Sequence, residues 1–216
     1  MKCALEEKIK ERFILNQDIF PTSVEENDER LRSLCLLLPI KGKILDVGCG
    51  KGRFIKEINR YNDCTFYGVD ITPPFVEYCK EQFPNFIFKI SSATNLSFKR
   101  EFFDAVYCVQ LLEHIPNPQI AVNEMLRVLK PGGIIILIEK NYLSIQNVMK
   151  ITQELKGTYS IYHGKFPFRE HSFSDSELRK MIKDCVNIQQ RHVTIGKTHR
   201  FIVTTGEKYD AGYHGF

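Results

Sequence analysis

The chain has no C-x-x-C pair, and its seven cysteines are odd in number. That excludes a structural zinc ribbon and a complete disulfide framework. It points to a reduced, cytoplasmic setting in which Cys35, Cys64, Cys108 and Cys185 act as small apolar residues. No apolar run reaches the ~18 residues of a spanning helix, so no membrane segment is expected. The start, Met1-Lys2-Cys3-Ala4-Leu5-Glu6-Glu7-Lys8, is polar and predicts no signal peptide. There is no long basic run. The 30 basic and 26 acidic residues leave a formal charge of +4, which gives weak support for a nucleic-acid partner. Repeats and low-complexity linkers are absent. With 43% hydrophobic and 26% charged residues, the 216 residues read as one ordered domain, 1–216.

What is present is organised around Lys43-Ile44-Leu45-Asp46-Val47-Gly48-Cys49-Gly50-Lys51-Gly52-Arg53-Phe54. Ile44 to Val47 is a short apolar run suited to a strand buried on both faces. Gly48, Gly50 and Gly52 then let the backbone turn tightly and approach a ligand, and Phe54, Ile55 and Ile58 begin a helix. A nucleotide site in a doubly wound sheet starts this way. Cys64 to Asp70 forms a second strand that ends in an acid 20 residues after Gly50. A carboxylate at that point can accept both hydrogens of a ribose diol.

The rest follows in βα order. Residues 1–20 are a loosely amphipathic helix, and Ser23 to Glu26 has capping-box form ahead of Leu31, Leu34, Cys35 and Leu38. These helices of residues 1–40 are either plain packing or part of a lid. Thr72-Pro73-Pro74 opens a helix, Phe86 to Ile90 is a third strand, and Ser91 to Leu96 is a polar loop. Phe102 to Val109 is a fourth strand, and Asn117-Pro118 starts a helix that ends at the turn Lys130 to Gly133. Ile134 to Ile138 is a fifth, central strand, which closes a core over 41–138. Ser174 to Glu177 is a second capping box in the segment 173–205, followed by strands Asn187 to Ile195 and Arg200 to Thr205. Their short link forces an antiparallel pair. The tail 206–216 reads as ordered only if something holds it. The pattern predicts a doubly wound α/β fold: a seven-stranded, mostly parallel sheet with a terminal antiparallel hairpin, helices on both faces and an N-terminal helical addition.

Four stretches in order resemble the class I S-adenosylmethionine-dependent methyltransferases: Ile44 to Gly52, the acid Asp70, Phe103 to Val106 with Leu112-Glu113-His114-Ile115, and Arg127 to Gly133. A dinucleotide oxidoreductase would carry G-x-G-x-x-G, whereas here the third glycine comes one residue early. The resemblance implies S-adenosylmethionine as cofactor, with S-adenosylhomocysteine as its product. Gly48, Gly50 and Gly52 would underlie its methionine and ribose parts. Asp46 would lie near the methionine amino group, or be a buried acid satisfied by the turn's own N–H groups. Asp70 would take the ribose hydroxyls and Ile71 would pack on adenine. Many relatives place an acid after the third strand to accept from the adenine amino group. Ser92, followed by Ala93, stands there instead. Val109 and Gln110 would border the methyl group.

The resemblance also implies in-line transfer to an acceptor, for which the protein need supply little beyond positioning, a catalytic base being optional. His114 is the candidate base; a packing turn is the alternative for Leu112 to Ile115. Gln110-Leu111-Leu112-Glu113-His114 is similar to the acidic segment of ubiquinone-biosynthesis O-methyltransferases, but Gln110 replaces the first acid, so no metal is assigned. Residues 139–172 are the expected acceptor side, with Ile145, Val148, Met149, Thr152 and Leu155 helically spaced after Ser144. The aromatic run from Tyr159 to His171 follows; an aromatic mini-core is the alternative. The expected acceptor is a small molecule. A nucleic-acid or protein acceptor, or cofactor binding without catalysis, stays open.

Overall fold

Ile44, Leu45 and Val47 are fully enclosed, as a continuous apolar run at the centre of a parallel sheet requires. They lie on β1 (Lys41–Val47) in a computed structural model that describes residues 2–61, 63–141, 158–163, 166–195 and 199–210. The other sheet strands are β2 (Asp63–Asp70), β3 (Ile87–Ile90), β4 (Phe103–Val109), β5 (Leu129–Lys140), β8 (Cys185–Ile195) and β9 (His199–Lys208). They form a seven-stranded sheet in the order β3-β2-β1-β4-β5-β9-β8. The pairs among β1 to β5 are parallel, while β9 runs antiparallel to both β5 and β8. The doubly wound sheet with an antiparallel terminal hairpin is therefore the fold that the pattern of elements predicts.

Helices cover both faces. On one, α2 (Glu29–Leu37), α3 (Arg53–Ile58) and α4 (Pro73–Gln82) bury Leu31, Leu34, Phe54, Ile55, Ile58, Val76 and Cys79 against Ile44, Phe66, Tyr107 and Ile136. On the other, α5 (Pro118–Val128) and α6 (Asp175–Met181) contribute Ala121, Val122, Met125, Val128 and Leu178 against Leu45, Val69, Val106 and Leu137. The Ser174–Glu177 capping box closes α6. The Glu177 N–H donates to Ser174 Oγ at 3.3 Å, and the Ser174 N–H donates to Glu177 Oε2 at 2.8 Å. Such a cap contributes about 1 kcal/mol.

Several boundaries differ from the sequence pattern. α2 starts at Glu29, not after Ser23. Asp28 is its cap, accepting from the Arg30 N–H at 2.9 Å and from the Arg30 guanidinium at 2.7 Å. A carboxylate that can hold both the helix end and a buried cation outcompetes a serine five residues upstream. The region from Lys130 to Gly133 lies within β5, its φ at Gly132 being +71°, and the strand reaches Lys140. β9 runs on to Lys208, because Gly206 and Glu207 still pair with Ile135 and Ile134. α1 (Lys2–Leu15) ends before residue 20, and a short 3-10 turn, Gln17–Ile19, follows.

Part of the 139–172 connection is a separate antiparallel hairpin, β6 (Thr158–His163) and β7 (Phe166–His171). The helix expected from Ile145 to Leu155 lies outside the described residues. The backbone of β7 passes beside a 3-10 turn, Leu112–His114, which follows β4.

Gly68 on β2 tests the tightness of the sheet beneath the first turn. A Cβ there would stand 2.6 Å from Phe88 Cδ1 and 3.0 Å from Cys49 Sγ. We expect Gly68→Ala to lower the thermal midpoint by about 3–10 °C, read by differential scanning fluorimetry.

Candidate functional site

The parallel order brings the C-terminal ends of β1, β2, β3 and β4 to one edge, where crevices of doubly wound sheets hold ligands. Asp46, Gly48, Gly50, Asp70, Ile71, Ser92, Ala93, Val109, Gln110 and His114 all line one cavity of about 320 Å³ at that edge. Gly52 is the exception among the predicted residues. It caps α3 with φ +73°, and a Cβ on it would meet Phe83 at 2.7 Å, so it serves the packing of α3 on α4.

The turn is fastened to the neighbouring strand. Gly48 and Cys49 donate their N–H groups to Val69 O at 2.8 and 3.0 Å. Gly50 donates its N–H to Asp70 Oδ2 at 2.9 Å, and Thr72 donates to Asp70 Oδ1 at 2.9 Å. Gly50 has φ +53°, and a Cβ there would meet nothing within 4 Å, so its backbone stands open to a ligand. Burial raises the Asp70 pKa, while these N–H groups pull it back toward the ionised form. Each oxygen keeps acceptor capacity for a hydroxyl pair.

Asp46 is buried at 3% exposure. Its partner is the Tyr107 hydroxyl, which donates to Asp46 Oδ2 at 2.9 Å, and not the turn's N–H groups, which are spent on Val69, Asp70 and Cys49 O. Burial pushes the Asp46 carboxyl up to about 7; the Tyr107 bond opposes this and the Asp70 charge adds to it.

Beyond β4 the chain enters a polar knot. Gln110 has φ +54°, unusual for a side-chain-bearing residue, and its Oε1 accepts from the guanidinium groups of Arg30 and, at 3.3 Å, Arg53. Arg30 is itself held by Asp28 and lies over the rings of Phe54 and Phe201. Burial and the facing Arg30 charge bring the Arg53 pKa down to about 10. Glu139 Oε1 accepts from the N–H groups of Leu111 and Leu112 at 3.1 and 2.9 Å, which fixes the start of the 3-10 turn. Burial, with the nearby Glu113 charge, pushes Glu139 up to about 8. Glu113 is buried within 3.2 Å of Lys140 Nζ and 3.5 Å of His114 Nε2. The His114 ring meets Phe13 edge to face, with centroids 5.3 Å apart.

In the sequence, several lining residues read only as apolar helix positions, and Glu6 carries no signal of a site. Glu6, Ile9, Phe13 and Phe20 come from α1 and the segment after it, and Phe75 from α4. Phe13, Phe20 and Phe75 pack together with centroids 5.1 to 6.5 Å apart. The N-terminal helix therefore roofs the cavity. Arg53 and Lys140 also line it; position 53, directly after the third glycine, was the one of these that spacing could have flagged. No cluster of three metal-ligating side chains occurs among the described residues, and no described helix is long and apolar enough to cross a membrane.

The raised acids set a pH dependence. Between its ordinary value and about 7, Asp46 keeps a proton in the folded chain that the unfolded chain releases, so its contribution to stability is lost as pH rises through that window. We expect Asp46→Asn, which keeps an acceptor for Tyr107, to gain roughly 1–3 kcal/mol over wild type on going from pH 5 to pH 8 in urea denaturation.

Comparison with known proteins agrees with this geometry. Residues 45–137 match the profile of a methyltransferase domain. Over 107 residues the chain is 34% identical to a 2-methyl-6-phytyl-1,4-hydroquinone methyltransferase of Synechocystis, covering 48% of this chain and 34% of that protein. Over 103 residues it is 32% identical to an Arabidopsis thaliana tRNA (carboxymethyluridine(34)-5-O)-methyltransferase, covering 46% of this chain and 24% of that one. The matched stretch thus spans only a quarter to a third of those relatives. The fold superposes on a Burkholderia thailandensis 1,6-didemethyltoxoflavin-N1-methyltransferase with a TM-score of 0.70 at 15% identity, covering 96% of this chain and 89% of the other. Residues 45–137 thus match a methyltransferase domain, and the whole described sheet has the fold of a solved methyltransferase.

Proposed function

We propose that this chain binds S-adenosylmethionine in the cavity at the ends of β1 to β4 and methylates a small-molecule acceptor. The observation that carries the reading is Asp70, fastened to Gly50 and Thr72, beside a glycine turn whose open Gly50 backbone leaves room for a ligand. That cradle and the acid at the end of β2 fit a ribose diol joined to an extended amino-acid chain. When bound, the cofactor supplies a methyl group activated on a sulfonium.

The chain's own residues do the rest. Asp70 accepts from the ribose hydroxyls and Ile71 packs on the base. Asp46 and the turn backbone face the amino-acid portion, where Arg53 offers a positive charge. Val109 and Gln110 border the reacting end, and the two arginines hold Gln110 in place. His114 stands at the same end of the cavity beside Glu113, placed to take a proton from the acceptor. The roof of Ile9, Phe13 and Phe20 keeps water from that end and suits an apolar or planar acceptor. The named activity of the hydroquinone relative supports this choice. The tRNA-modifying relative supports the second reading, an RNA acceptor, although no long basic run accompanies the cavity.

Binding is the first test. At about 100 times its dissociation constant, S-adenosylhomocysteine should add about 2.7 kcal/mol of stability, seen as an upward shift of the melting midpoint, while NADH should leave it unmoved. Asp70→Ala should abolish the shift.

Chemistry is the second test. With a panel of phenols, amines and carboxylic acids as acceptors, His114→Asn should lower S-adenosylhomocysteine release by roughly 10²-fold while leaving S-adenosylhomocysteine binding unchanged. Turnover on bulk tRNA but on none of the small acceptors would favour the RNA reading.

A further inference from the structure

Glu6 is the one acid on the β3 side of the cavity among the described residues. The other acids that line it are Asp46 and Asp70 at the ends of β1 and β2 and Glu113 after β4. Glu6 belongs to α1, yet its carboxylate reaches the loop after β3. Thr94 Oγ1 donates to Glu6 Oε1 at 2.7 Å and Ser92 Oγ donates to the same atom at 3.2 Å. The two hydroxyls are also 2.9 Å from each other, and the Thr94 N–H donates to Ser92 Oγ at 3.1 Å, so the loop is preset to present them. Glu6 Oε2 meets no donor among the described residues. Two loop hydroxyls thus aim the carboxylate and leave one oxygen for something else.

The topology says what reaches it. If Asp70 takes the ribose diol, the methionine part runs toward β1 and β4. The base, on the opposite side of the sugar, lies toward β3, the next strand in the sheet. The loop from Ser91 to Thr94 lines that side. A purine bearing an exocyclic amino group presents a donor there, and a carboxylate is the strongest neutral-pH acceptor for it. Ser92 and Thr94 have already turned their hydroxyl hydrogens toward Glu6.

We propose that Glu6, reaching in from the N-terminal helix, accepts the hydrogen bond of the cofactor's 6-amino group and so selects an aminopurine. This rests on the S-adenosylmethionine reading above. It makes base recognition and the docking of α1 a single event, because the recognising group is carried by the roof and not by the sheet.

The test compares S-adenosylhomocysteine with an analogue whose purine lacks the 6-amino group, both measured by isothermal titration calorimetry on the full chain. Wild type should bind S-adenosylhomocysteine on the order of 10-fold more tightly than the analogue, as expected for one charge-assisted hydrogen bond. Glu6→Ala should bring that ratio close to one, and Glu6→Gln, which keeps a neutral acceptor, should fall between. A purely structural role for Glu6 would weaken both ligands alike and leave the ratio unchanged, which would overturn the proposal. So would a wild-type ratio of one. Failure of wild type to bind S-adenosylhomocysteine at all would instead remove the cofactor reading, and this inference with it.

Discussion

One carboxylate ties the site together. Asp70 accepts from Gly50 on the first turn and from Thr72 at the start of the next helix, so the ends of two neighbouring strands share a clasp. The parallel register sets it up: Val47 lies opposite Val69, which leaves Asp70 one residue beyond, level with the turn. The Val69 carbonyl completes the clasp by taking the N–H groups of Gly48 and Cys49. A turn held this firmly keeps its open face without needing a ligand to shape it, which lowers the ordering cost of binding.

Charge burial is the cost of that arrangement. Asp46, Asp70, Glu113 and Glu139 all sit where desolvation favours the neutral acid, and Arg53 sits where it favours the neutral base. Partners offset this unevenly. Tyr107 gives Asp46 one hydrogen bond, Lys140 faces Glu113, and Glu139 holds two backbone N–H groups while its second oxygen has no hydrogen-bond partner among the described residues. A packed core would carry none of these groups. Their concentration around one cavity is the pattern of a site that trades stability for chemistry.

The core was legible because its signals are local. Strand, glycine turn, helix and a strand-end acid depend on short spacings, and the Lys130 to Gly133 segment follows its helix directly. Legibility failed where a distant group decides. Asp28 displaces Ser23 as the cap of α2 because it also binds Arg30, and Arg30 is worth burying because Gln110 lies 80 residues on. Gly52 shares the spacing of Gly48 and Gly50 but faces Phe83, a residue of the next βα unit. The role of α1 was hidden for another reason. Its polar and apolar residues form no clear stripe, since its inner face must meet both a polar loop and an aromatic cluster.

That mixed face has a consequence for turnover. Glu6 and Phe13 are seven positions apart, about 10 Å along the axis of α1, and they touch opposite ends of the cavity: Glu6 meets the loop at Thr94, and Phe13 meets the His114 ring. A rigid helix cannot release one end and keep the other. On the proposed reading, spent cofactor and methylated product would share one exit, and the lifting of that helix would set a ceiling on both departures.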